Sequence, residues 1–195
     1  MSLARFQACM ARLITDPDFR DRVRSGDPAV LAGHLTALER FRLCRIASDR
    51  GLDINRTLHK GFRLGKLRAM LPLTCEALGP KRLTREVAAF WAQCPPTSFY
   101  FIAEALDFCD FLAMRRLRGV YLEEIIAYER AALALDQAGA DKPIEHAVRF
   151  RHEPAMLLAC LAERRRPRAI PRRDCTAFGT RGEDGRAHWR LVDGA

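Results

Sequence analysis

Five histidines (His34, His59, His146, His152 and His188), seven cysteines and the stretch HKGFRLGKL are the places where this 195-residue chain could do chemistry. A helical metal box needs two ligands three or four residues apart, so that both project from one face. The near misses do not supply it, since His34 and Glu39 are five apart and Glu145 and His146 are adjacent. HKGFRLGKL has Gly61, Gly65 and Lys66, but only three residues separate the glycines and Leu67 stands where a magnesium-binding Ser or Thr belongs, so it is no phosphate loop. The cysteines (Cys9, Cys44, Cys75, Cys94, Cys109, Cys160, Cys175) form no C-x-x-C pair, and several lie in apolar settings such as LDFCDFL, where a thiol is a small buried hydrophobe. Ser98 has no nucleophile elbow around it, and Glu123 and Glu124, being neighbours on a helix, diverge. Nothing in the sequence reads as a self-sufficient catalytic centre.

The elements that would position these residues are mostly helical. Leu3, Phe6, Met10, Leu13 and Ile14 make one apolar face until Asp16 and Pro17 interrupt it. Asp27 and Pro28 read as the N-cap and first position of a helix running to a stop at Gly51. Further helices follow over 54–70, between Pro72 and Gly79–Pro80, behind Thr84 as a cap, after Pro95–Pro96, and from Val120 to Gly139. Beyond Ala140 the period changes to two. Val148 and Phe150 alternate with Arg149 and Arg151, and EPAMLLACLAERRR reads as a short helix or a second extended segment. CTAFGTR and RAHWRLV flank a GEDG turn, with Ala187, Trp189 and Leu191 on one side and His188 and Arg190 on the other. The expected class is α+β: a helical domain over 1–140, then a small three-stranded antiparallel sheet over 141–195. So small a sheet should pack on the helices.

No apolar run approaches the ~20 residues that cross a bilayer, and MSLARFQACMARL lacks a signal-peptide core, so a cytoplasmic location without membrane association is expected. The net charge of +9 raises nucleic acid as a partner. The charge is spread along the chain, however, and its one dense run, RRRPRAIPRR (164–173), reads as a solvated linker. A basic nucleic-acid-binding regulator stays as the rival reading.

The segment from Leu67 to Leu112 carries a resemblance. Pro72, Leu78–Gly79, Phe90–Trp91, Pro95–Pro96–Thr97–Ser98 and Phe111–Leu112 match the pattern of a widespread bacterial family of helical proteins often labelled DNA-binding. With its N-terminal segment and terminal hairpin, the chain resembles the methanobactin-biosynthesis branch of that family. The family commonly has His before its Pro-Pro, where this chain has Cys94, so no imidazole role transfers. The resemblance implies a non-catalytic subunit that holds no cofactor of its own. Its partner would be an iron-containing barrel enzyme, of the methanobactin biosynthesis protein B type, carrying a non-haem iron cluster. The complex would use dioxygen to convert cysteines of a ribosomally made precursor peptide to oxazolone–thioamide groups, with this subunit helping to hold the leader.

A terminal sheet suits that task, because a free strand edge can accept an extended peptide as a further strand. The edge is expected in Cys175–Arg181 or Ala187–Val192, with Thr176, Phe178, Thr180, His188 and Arg190 as candidate peptide contacts. For the iron-bearing partner, Phe99, Tyr100 and Phe101 are the candidate contacts, since one helix face cannot bury three consecutive aromatics.

Overall fold

The computed structural model describes residues 3–33, 35–94, 101–115, 117–138, 144–182 and 184–194. Eight helices precede or interrupt a three-stranded antiparallel sheet among them, the α+β class expected. The chain forms two compact units, Met1–Arg63 and Leu64–Ala195. The boundary therefore falls inside a helix rather than near Ala140. The change of period at Ala140 marks the passage from helix to strand within the second unit.

The first unit holds α1 (Leu3–Thr15), α2 (Pro17–Arg24), α3 (Ala37–Ala47) and the beginning of α4 (Arg50–Met70). Cys9, Leu13, Phe19, Val23, Leu31, Leu35, Leu43 and Ala47 make its core. Helix α2 starts by the rule that the sequence suggested for Asp27–Pro28. Asp16 Oδ1 accepts the Phe19 amide at 2.9 Å, and Pro17 opens the helix. Asp27 instead turns its carboxylate onto the Ala29 amide at 3.0 Å, and Gly33 has φ +114°, which no helix admits. The next helix thus waits for Thr36. Its Oγ1 accepts the Glu39 amide at 3.2 Å while Glu39 Oε2 accepts the Thr36 amide at 2.7 Å, a reciprocal capping box. Gly51 does not stop a helix, because it lies in the first turn of α4 with its amide on Asp49 Oδ1 at 2.6 Å.

In the second unit the rest of α4 joins α5 (Pro72–Gln93), α6 (Phe101–Met114), α7 (Leu122–Gln137), β1 (Glu145–His152), α8 (Pro154–Ala162), β2 (Arg172–Arg181) and β3 (Ala187–Asp193). The ambiguous segment after β1 is thus a helix, opened by Pro154 at its first position. Helix α5 is kinked at Gly79, whose φ of 69° and ψ of 165° lie outside helical space. Pro80 restarts it, so Thr84 is an interior residue donating to the Pro80 carbonyl at 2.9 Å rather than a cap.

Helix α7 is apolar on two sides. Leu122, Ile126 and Leu133 enter the cluster built by Leu78, Leu83, Val87, Phe90, Phe108 and Phe111. Ile125 and Ala131 join Val148, Phe150, Cys175 and Ala177 of the sheet. Its ends are tied from outside as well. Arg181 Nη1 donates to the Leu135, Asp136 and Ala138 carbonyls, satisfying the C-terminal groups that a helix leaves without internal partners.

Candidate functional site

Strand order is β1-β2-β3, so β2 is central and paired on both sides. This removes Cys175–Arg181 as a free edge and leaves Ala187–Val192 as the expected segment that lies at one. The reason is the long-range pairing of β1 with β2, for example Phe150 with Cys175, which fills the side of β2 opposite the hairpin.

The hydrogen-bond phase of β3 fixes which of its groups are open. Gly182 donates to Arg186 O and Gly194 to Asp174 O, both at 2.8 Å, and the register between them is unbroken. In an antiparallel ladder the bonded pairs recur every second residue. His188, Arg190 and Val192 therefore turn their amides and carbonyls to β2. Those of Ala187, Trp189, Leu191 and Asp193 turn to the open side, where no strand pairs with them among the described residues. At the opposite edge, the Arg151 amide of β1 donates to Glu124 Oε2 at 3.2 Å.

All five candidate peptide contacts come together on one face. Cys175, Ala177 and Gly179 point to the helices, which places Thr176, Phe178 and Thr180 on the outer side of β2. Their partners on β3 are Val192, Arg190 and His188 in that order. The Arg190 guanidinium lies 5.0 Å from the centroid of the Phe178 ring. His188 Nε2 is 3.0 Å from Asp184 Oδ1, and this bond holds the Asp184 carboxyl below its ordinary range. On the β1 side Arg149 grips Asp174 with two bonds of 3.0 and 2.7 Å. The inner side of β3 is held by Trp189, whose ring packs 4.9 Å from that of Tyr128. Leu191 and Val192, each 40% exposed, leave the end of the edge strand apolar and uncovered.

Phe99 and Tyr100 lie outside the described residues. Phe101 opens α6, half-buried, with Lys66 Nζ 5.5 Å from its ring centroid. In the arginine run, Arg173 binds Asp193 and Glu153 at 2.8 and 2.9 Å and Arg165 binds Glu163, while Arg164, Arg166, Arg168 and Arg172 stand exposed.

The polar cluster with most burial was not legible from spacing. Glu124 and His152 are 28 residues apart, yet Oε1 and Nδ1 lie 2.7 Å apart in the interior, with the Tyr121 ring edge-on to the imidazole at 4.7 Å. Tyr121 Oη in turn accepts the Ile170 amide at 3.3 Å. These contacts tie α7 to the sheet and to the loop before β2. The thiols of Cys75 and Cys109 are each pushed up to about 12, chiefly by burial, so they pack as hydrophobes and do not react as thiolates. Among the described residues no group of three or more His, Cys, Asp or Glu is placed to hold a metal ion, and no helix is long and apolar enough to cross a membrane.

Against protein-family models, curated proteins and solved structures, the chain finds no match.

Proposed function

We propose that this protein is a peptide-presenting subunit and that the edge of β3 receives the extended leader of a ribosomally made precursor. The observation that carries the reading is the row of main-chain groups on Ala187, Trp189, Leu191 and Asp193, directed away from β2 beside an uncovered apolar strand end. A peptide added there gains affinity from main-chain bonds, and its alternate side chains meet Arg190 and His188 outside or Leu191 and Trp189 inside. With the resemblance of residues 67–112 to the methanobactin-biosynthesis family, the precursor would be a Cys-bearing peptide. Its cysteines would become oxazolone–thioamide groups at the iron of a partner enzyme.

Proline substitution separates edge from ladder. Leu191→Pro deletes an amide that faces the open side, and proline is tolerated on edge strands. Val192→Pro deletes an amide bonded to β2 and so reports the cost of breaking the sheet. The expected result is a folded Leu191→Pro protein that binds a fluorescent leader peptide at least about tenfold more weakly, with Leu191→Ala close to wild type. Wild-type affinity in folded Leu191→Pro would remove the edge from the reading. A duplex-DNA shift with no leader binding would favour the regulator instead.

A further inference from the structure

Of the twelve large apolar side chains exposed among the described residues, seven lie in the first 63 positions, so the first unit has more outward apolar surface than its core requires. Helix α3 shows how that surface is organised. Glu39, Leu43 and Ala47 are buried, with Cys44 and Ile46 half-buried beside them. The opposite face carries Leu38, Phe41, Arg42 and Arg45, the i, i+3, i+4, i+7 pattern of a single helix side. All four are exposed, Leu38 by 57% and Phe41 by 63%. Neither Arg42 nor Arg45 has a carboxylate within 4.0 Å among the described residues, and the helix's one acid, Glu39, is engaged in the Thr36 cap. An apolar pair flanked by two unneutralised guanidinia, with no acid on the same side, defines what can cover it.

We infer that the outer face of α3 is a docking surface for a protein whose apolar ridge is flanked by carboxylates, and that its occupant is the iron-bearing subunit. The identity of that occupant rests on the function proposed above. Charge complementarity decides between occupants. A second copy docking about a two-fold axis would set Arg42 and Arg45 against their own counterparts. A nucleic acid would meet the arginines but would lay phosphates against Leu38 and Phe41. A carboxylate-flanked apolar ridge rewards both halves of the face, the aromatic as anchor and the arginines as orienting rim.

The test co-expresses the full chain with the iron-bearing subunit and measures co-elution and affinity for wild type, Phe41→Asp, and the Arg42→Glu/Arg45→Glu double variant. Leader binding by the chain alone is followed in parallel. Because these side chains are exposed, the variants should keep the wild-type circular dichroism spectrum and leader affinity. The inference predicts at least about tenfold weaker complex formation for each variant, with a salt-dependent wild-type affinity whose slope flattens in the double variant. Variants that bind the iron subunit as wild type does would overturn the docking face and leave the proposed function standing. A wild-type chain that binds leader but never the iron subunit would overturn both the inference and the iron-partner half of that function. Concentration-dependent dimers abolished by Phe41→Asp would assign the face to a second copy. Duplex-DNA binding lost only in the arginine variant would assign it to nucleic acid.

Discussion

The guanidinium of Arg190 lies 5.0 Å from the centroid of the Phe178 ring, across the β2–β3 ladder on the side turned away from the helices. The two are direct cross-strand partners and form a bonded pair in the ladder, so their side chains are neighbours by register and not by a chance rotamer. A cation over an exposed aromatic face contributes about 0.5–1 kcal/mol. A double-mutant cycle of Phe178→Ala and Arg190→Ala in urea denaturation should return a coupling of that order. Coupling near zero would mean that the two residues are free to serve a bound peptide separately.

Glu129 supplies a helix cap that local sequence does not. Helix α5 begins at Pro72 behind Leu71, which has no side-chain acceptor, and Glu129 of α7 accepts the Leu73 and Thr74 amides at 2.8 and 2.7 Å. Glu129→Gln offers one acceptor for two amides, and the orphaned donor should cost about 1–3 kcal/mol. Burial raises the Glu129 carboxyl above its ordinary value, against the pull of the two amides. A raised acid stabilises the fold most while protonated, and that contribution falls as pH climbs from the ordinary carboxylate value through the folded one. The stability gap between wild type and Glu129→Gln should therefore narrow as pH rises across that window. A gap that widens would contradict the sign.

Two glycines should respond to alanine in opposite directions. Neither Gly79 nor Gly61 has a heavy atom within 4 Å of where a Cβ would stand, so packing does not enter. Gly79, with φ 69° and ψ 165°, occupies a region essentially closed to other residues, and Gly79→Ala should cost about 1–3 kcal/mol. Gly61 is inside α4, where Gly61→Ala should gain about 0.5–1 kcal/mol. Thermal or urea unfolding of the two variants decides both.

These residues also show where sequence reading reaches and where it stops. The alternation over 187–191 was legible because burial on one side imposes a period of two, and Trp189 does face Tyr128 while His188 and Arg190 face out. The hairpin was legible because its turn is local. The place of β2 in the sheet was not, since it depends on Phe150 meeting Cys175 across 25 residues, and periodicity carries no strand order. Asp16–Pro17 and Asp27–Pro28 present the same helix-start signal, and only tertiary context decides that the first is used. Glu124 with His152 and Glu129 with Thr74 escape for the same reason as the strand order. Each is a long-range polar pair whose members look ordinary alone.

Gly179 links the core of the sheet to its open edge. A Cβ there would stand 2.7 Å from two atoms of the Trp189 ring and 2.8 Å from Leu135 Cδ1, closer than any side chain can tolerate. Gly179→Ala must push the indole away from Tyr128 or lift β3 from α7, and overpacking of this kind costs about 1–3 kcal/mol. Trp189 fluorescence should shift to the red as the ring gains water. Leader binding should weaken as well, although Gly179 faces inward and touches neither the outer face nor the edge. A variant with displaced Trp189 emission and wild-type leader affinity would mean that β3 need not be held in this position to receive a peptide.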